Sequence, residues 1–142
     1  MTPQKQLFLH RPEEGQFGDC WRAAIACLID QPVASVPHFA MAGLNGIPGD
    51  YMVLTRTWLA EFNLYLLQVP YAGETVESVL DLVGTLNPGV HYLLTATKEG
   101  GVDHNVVCLD KQIVWDPSLE PKPIIGPASD GHWWVSFLGA CV

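Results

Sequence analysis

GDCWRAAIACLI, from Gly18 to Ile29, is the segment around which the rest of the chain can be arranged. Its apolar, alanine-rich run predicts a helix from Cys20 to Ile29, with Asp19 as the N-cap. The small side chains would let this helix pack closely against a sheet. Cys20 therefore falls in the first turn, where the partial positive charge of a helix N-terminus favours a thiolate.

The rest of the chain predicts helices first and then a β-rich last third. Apolar residues at helical spacing predict helices at Met52–Phe62 and at Thr75–Leu86, the second with a capping box built from Thr75 and Ser78. Segments rich in proline and glycine are expected to be loops, at Gly43–Gly49 and Leu119–Ser129. Alternating or β-branched runs predict strands, at Leu64–Val69, His91–Thr97, His104–Leu109, Gln112–Asp116 and His132–Leu138, with Gln6–Leu9 as a tail or short strand. Helices followed by an antiparallel sheet are typical of the α+β class, and we expect the cysteine-bearing helix to pack on that sheet.

Length and composition predict one compact domain over residues 1–142. Hydrophobic residues make up 49% of the chain and charged residues 15%, which suits a buried core rather than disorder. The net charge of −8 and the scattered lysines and arginines argue against nucleic acid or an anionic membrane as a partner. Neither a signal peptide nor an apolar run of about 18 residues is visible. We therefore expect a cytoplasmic protein whose cysteines are reduced.

Two residues of the β-rich third complete a candidate site with Cys20. His104 stands in one strand of a predicted hairpin, and Asp116 stands at the end of the other. They face the same side if the hairpin loop has three residues or a bulge interrupts the pairing, whereas a regular two-residue loop would turn Asp116 away. The carboxylate would fix the tautomer of the imidazole and stabilise its charged form. Cysteine, histidine and carboxylate in this arrangement predict a cysteine-nucleophile hydrolase or acyltransferase.

Other side chains offer alternatives for the same roles. Asp103 is a second candidate carboxylate, but on a strand it should face away from His104. His38 and His132 are alternative bases. A zinc site is the competing chemistry, and it is disfavoured because Cys20 and the other cysteines lack the paired spacing of structural zinc ligands. We expect no metal and no cofactor.

Catalysis through a thioester also needs donors for an oxyanion and walls for a substrate groove. The backbone N–H of Cys20 is one candidate donor, and the side chain of Gln16 is the second, with a solvated loop glutamine as the equally weighted alternative. Trp21 and Trp133 are candidate walls of the groove, with Trp134 beside them. Packing in the core is the alternative role, and for Trp21 it is at least as well supported.

These motifs resemble the papain-like cysteine peptidase superfamily. Gly18-x-Cys20-Trp21 is similar to the segment around the papain nucleophile. Gln16, the run from His104 to Val107, and the pair Asp116-Pro117 resemble the small bacterial and phage branch that includes the double-glycine leader peptidases. The resemblance implies a papain-like fold with Cys20 as nucleophile, His104 as general base, Asp116 as orienting carboxylate and Gln16 as oxyanion donor.

The sequence thus predicts cleavage of an amide, peptide or isopeptide bond in a peptide or protein substrate. Two alternatives stay open on the same residues. One is acyl transfer of the transglutaminase or deamidase kind, and the other is an inactive papain-like binding or inhibitor protein. A partner protein that completes the site also stays open, because so small a domain shows little elaboration for binding a substrate.

Overall fold

The structure, a computed structural model, describes residues 1–42 and 50–142, so the predicted loop Gly43–Gly49 lies outside the described residues. Its helices are α1 (Cys20–Leu28), α2 (Phe39–Ala42), α3 (Asp50–Ala60) and α4 (Val76–Leu86). Its strands are β1 (Leu64–Tyr71), β2 (His91–Lys98), β3 (Val102–Leu109), β4 (Gln112–Trp115), β5 (Ile124–Pro127) and β6 (Trp133–Ala140). Helices and an antiparallel sheet confirm the predicted α+β class. In the described part of the chain, no helix combines the length and apolar character that crossing a bilayer requires.

All six strands belong to one sheet in the order β1-β6-β2-β3-β4, with β5 also on β2. Strands β6 and β5 share one side of β2. Leu93 to Thr95 pair with β6, and the next residues, Ala96 to Lys98, pair with β5. The short strand β5 therefore continues the sheet where β6 has ended.

Helices cover both faces of the sheet. Helix α1 buries its alanines and Ile25 completely and packs with Leu93 and Val107. Helix α4 packs with Leu94 and Val106, the neighbours of those two residues. Because successive side chains of a strand point to opposite faces, the two helices lie on opposite sides. The small alanine side chains of α1 let its backbone approach the sheet closely. The strand that α1 contacts most is β3, which carries His104.

The two predicted helix caps have different outcomes. Thr75 caps α4 in a capping box with Ser78, as predicted. Asp19 occupies the N-cap position of α1, as predicted, but its side chain makes no capping hydrogen bond. Its carboxylate accepts hydrogen bonds from the N–H groups of Leu7 and Phe8 and pairs with Arg22 at 3.4 Å. Donors from the folded N-terminal segment therefore replace the local cap.

One segment differs from its predicted state. Leu119–Ser129 was expected to be a loop, but it contains β5, which ends at Pro127. Proline is tolerated on an edge strand, where its missing N–H breaks no ladder bond. Gln6–Leu9, predicted as a tail or a short strand, forms no strand, because its N–H groups at Leu7 and Phe8 bind the Asp19 carboxylate.

Candidate active site

Cys20 is the first residue of α1, and its half-buried sulfur contacts two successive residues of β3. The Nδ2 atom of Asn105 donates to its Sγ at 3.4 Å, and the imidazole of His104 lies near enough to lower the pKa of the thiol. Neighbouring side chains of a strand point to opposite faces, so the sulfur lies beside the edge of β3. That edge is open there, because the described pairing of β3 with β4 ends at Val107 and Trp115.

His104 is also bound to Asp116, the residue that follows β4. The Nε2 atom of His104 lies 2.6 Å from Oδ1 of Asp116, and the same oxygen accepts the N–H of Ser118 at 2.8 Å. His104 is only 2% exposed. Since Asp116 occupies Nε2, the other ring nitrogen, Nδ1, is the one available to Cys20.

A bulge in the hairpin makes the contact between His104 and Asp116 possible. The turn has two residues, because Leu109 pairs with Gln112, and a regular ladder would direct Asp116 away from His104. The register then shifts between Val107 and Cys108, so that Val114 is an extra residue on β4. The shift returns Asp116 to the side of His104. The sequence required either a three-residue loop or a bulge, and the structure contains the bulge.

The contacts of the three side chains shift each pKa in the direction that favours the charged form, upward for His104 and downward for Cys20 and Asp116. Burial disfavours the charged imidazole, but the hydrogen bonds with Asp116 and Cys20 outweigh it and raise the pKa of His104 to about 9. Burial also disfavours the Cys20 thiolate, yet the hydrogen bond and charge of His104, with the Asn105 amide, lower the pKa of Cys20 below its usual value. Burial is likewise outweighed at Asp116, whose pKa is lowered by His104 and the Ser118 N–H. These shifts favour a thiolate beside an imidazolium, the charged pair needed for nucleophilic attack.

Asn105 is a site residue for which the sequence suggested no role. The hydroxyl of Thr95 donates to Asn105 Oδ1 at 2.5 Å across the β2–β3 pair. This bond fixes the amide so that its Nδ2 faces Cys20. The available signal was a pair of polar residues, Thr95 and Asn105, which lie in register on neighbouring strands.

Of three further residues predicted for the site, Gln16 and Trp133 lie away from Cys20, and Trp21 lies beside the site. The Nε2 of Gln16 donates to the carbonyl of Leu9 at 2.8 Å, and the residue lines a separate recess, so the structure does not bring it to the sulfur. Trp133 is 1% exposed, donates to the carbonyl of Gly73 and packs in the α4 core, so its prediction as a groove wall is wrong. Trp21 is mostly buried in the α1 core but also lines a recess beside the site.

The alternative carboxylate, Asp103, and the alternative bases, His38 and His132, contact other groups in the structure. Asp103 accepts hydrogen bonds from the N–H and hydroxyl of Ser129. His38 contacts the carbonyl of Phe17, and the exposed His132 lies near Asp130. Within residues 1–42 and 50–142, no three side chains of histidine, cysteine, aspartate or glutamate converge as metal ligands.

Two open recesses meet at the site and share Gly18 and Asp103. The larger has a volume of about 420 Å³ and includes Cys20 with His10 and Ser129. The smaller has a volume of about 200 Å³, and aromatic residues, Asn105 and the start of α1 form much of its wall. Cys20 thus adjoins a surface that a substrate can reach, whereas His104 and Asp116 line neither recess. Comparison of the chain with family models, curated proteins and solved structures finds no match.

Proposed function

We propose that the protein is a cysteine-dependent hydrolase that cleaves an amide, peptide or isopeptide bond. The observation that carries the proposal is that Cys20 interacts with His104 and that His104 is in turn joined to Asp116 by a 2.6 Å hydrogen bond. It provides a nucleophile, a base and a group that orients the base, the set of roles that covalent acyl chemistry requires.

In the first half-reaction the Cys20 thiolate attacks the carbonyl carbon of the substrate. A C–S bond forms, and the carbonyl electrons move onto oxygen to give an oxyanion. When the oxyanion collapses, the C–N bond breaks, and the His104 imidazolium gives its proton to the departing amine. Water then attacks the thioester, His104 takes a proton from it, and release of the acid regenerates the thiolate.

The oxyanion needs donors near the sulfur, and two are in place. The N–H of Cys20 stands in the first turn of α1, where backbone N–H groups have no intrahelical acceptor. The Nδ2 of Asn105 lies 3.4 Å from the sulfur and is held in a fixed orientation by Thr95. We assign the second donor to Asn105 in place of Gln16, whose amide is bound to Leu9.

The proposed family is the papain-like superfamily. Support comes from a cysteine at the start of a helix, a histidine on a central strand and a carboxylate after the neighbouring strand. The use of Asn105 rather than an upstream glutamine distinguishes this chain from the pattern that the sequence resembles.

Cleavage of a degenerate peptide library in water carrying a heavy oxygen isotope tests the function. We expect new carboxyl termini that carry one heavy oxygen, formed by the native protein and absent with Cys20→Ala. The matched control is Cys141→Ala, because Cys141 is exposed and lies outside the site. Incorporation of an added primary amine would instead indicate acyl transfer, and no product from the native protein would favour an inactive binding protein.

A further inference from the structure

Asp103 occupies the border between the two recesses beside Cys20. Its carboxylate accepts hydrogen bonds from the Ser129 N–H at 2.9 Å and the Ser129 hydroxyl at 2.7 Å. The Thr97 hydroxyl lies 3.1 Å away and shares its one hydrogen with the carbonyl of Pro127. All three donors are neutral. They hold the carboxylate in place without cancelling its charge, and a fixed charge on the rim of a cleft acts on whatever enters.

The cationic groups around the recesses do not balance this charge. Among the described residues that line them, Arg22 is the one permanently charged cation. Its guanidinium pairs with the buried Asp19 and donates to the carbonyls of Val33 and Val36. The His104 imidazolium is likewise occupied by Cys20 and Asp116. The wall formed by Asp103 therefore keeps a net negative charge.

The smaller recess adds aromatic surface to this charge. Tyr51 lines it, partly exposed, with its ring edge-on to Trp21 at a centroid distance of 6.2 Å. Burial, together with the Cys20 sulfur and the Asp103 carboxylate, raises the pKa of the Tyr51 hydroxyl, which reflects how near both groups lie. The volume of about 200 Å³ is below the roughly 300 to 1,000 Å³ of ordinary ligand pockets and suits a single long side chain.

We infer that the smaller recess is a specificity pocket for a cationic side chain of the substrate, lysine or arginine, bound between Asp103 and Tyr51. The carboxylate would pair with the cation, and the tyrosine ring would contact its stem and charge. This inference rests on the proposed function, because it assigns the residue of the substrate that lies beside the bond attacked by Cys20.

Charge-selective modification of Cys20 tests the pocket without a known substrate. Three methanethiosulfonates differ only in carrying an aminoethyl, a methyl or a sulfonatoethyl group. In each reaction the thiolate attacks the thiol sulfur of the reagent, a disulfide forms, and methanesulfinate leaves. The ratio of the cationic to the anionic rate, read by mass spectrometry at Cys20 and at Cys141 of the same molecule, separates the local field from the overall charge of the protein.

We expect the ratio at Cys20 to exceed that at Cys141, and Asp103→Asn to lower the ratio at Cys20 on the order of fivefold. The ratio is independent of any change in the thiolate fraction, because both reagents react with the same thiolate. Asp81→Asn is the matched control, because it removes a negative charge from the exposed pair with Lys111. Ser129→Ala loosens the same contact but keeps the charge, so it should preserve the ratio. In the native protein the ratio at Cys20 should also fall at about 1 M salt, where the ions screen charges that lie more than about 3 Å apart.

Equal ratios at Cys20 and Cys141, a ratio that survives Asp103→Asn, or a ratio insensitive to salt would overturn the inference. Failure of the proposed function is a different result. In that case the neutral methyl reagent would modify Cys20 no faster than Cys141, whatever the charge ratio shows.

Discussion

The imidazole of His104 and the carboxylate of Asp116 are joined by a 2.6 Å hydrogen bond that depends on a bulge at Val114. The bulge changes which side of the hairpin Asp116 occupies, and the Ser118 N–H then holds the carboxylate oxygen that faces the ring. The extra residue Val114 in β4 thus allows Asp116 to raise the pKa of His104 on β3.

Deleting Val114 should remove the bulge without turning Asp116 away from His104, because Trp115 would then follow Ile113 directly and still pair with Val107. Val114 is exposed, so the loss of its side chain should cost little stability. We expect the deletion variant to keep the reactivity of Cys20 toward a neutral alkylating reagent to within about twofold at neutral pH, measured by mass spectrometry. Val114→Ala keeps the residue count and should also react like the native protein. A loss of about tenfold in the deletion variant would show that the register of β4 does not by itself set the contact.

Asp116→Asn should lower the pKa of His104. In the native protein His104 is charged up to about pH 9, because Asp116 and Cys20 hold the proton against the effect of burial. The asparagine amide keeps the shape of the carboxylate but has no charge. Burial, which lowers the pKa of His104, should then dominate, and the imidazole should lose its proton at a lower pH. Titration of the His104 ring protons by NMR measures the change. A pKa that stays near 9 in the variant would mean that Asp116 does not support the imidazolium.

Removing the Asn105 amide should raise the pKa of Cys20. Its Nδ2 donates to the sulfur, and a hydrogen bond to a thiolate favours the charged form. We expect Asn105→Ala to slow alkylation of Cys20 at neutral pH by roughly three- to tenfold. Thr95→Val, which removes the hydroxyl that orients the amide, should have a smaller effect in the same direction.

The two substitutions should be non-additive, because Thr95 acts on Cys20 only through Asn105. The double variant should therefore react at the rate of Asn105→Ala alone. Additive effects would show that Thr95 influences the sulfur by another route.

Asp19→Ala should destabilise the fold strongly. The Asp19 carboxylate is buried and neutralises Arg22, and it accepts the N–H groups of Leu7 and Phe8. Its loss leaves a buried cation and two donors without their partner, for which we expect about 3 to 5 kcal/mol in the free energy of unfolding. Chemical denaturation measures the difference.

Asp30→Ala is the matched control for this prediction. Asp30 also accepts a hydrogen bond from the N-terminal segment, at Thr2, but it is exposed. Its loss should therefore cost much less than the loss of Asp19. Equal losses for Asp19→Ala and Asp30→Ala would contradict a structural role for the buried carboxylate.

Much of the architecture follows from local patterns that the sequence displays. The helix at Cys20 and the capping box at Thr75 were predictable because their signals lie within one turn of chain. The bulge at Val114 was predictable only as a condition, since alternation along a strand shows that His104 and Asp116 need one but not that it forms. The sequence could therefore name the residues of the site and state the geometry they required.

The differences from prediction concern contacts that lie outside a single helix or strand. Aspartate is a residue type that often caps helices, but the side chain of Asp19 accepts the N–H groups of Leu7 and Phe8 instead. Trp133 has the aromatic character of a groove wall, but α4 covers it. Gln16 stands near the cysteine in sequence, yet the carbonyl of Leu9 takes its amide. In each case the partner is set by tertiary packing, which no local pattern encodes.

Alkylation of the four cysteines by iodoacetamide as a function of pH, in the native protein and in His104→Ala, tests the thiolate–imidazolium pair most directly. We expect native Cys20 to react at least tenfold faster than Cys141 at neutral pH, with a half-maximal rate well below the ordinary thiol pKa of about 8.5. In His104→Ala burial remains while the favourable partner is lost, so the pKa of Cys20 should rise and the advantage should disappear. If Cys20 reacts no faster than Cys141, or keeps its advantage without His104, the proposed catalytic pair is absent.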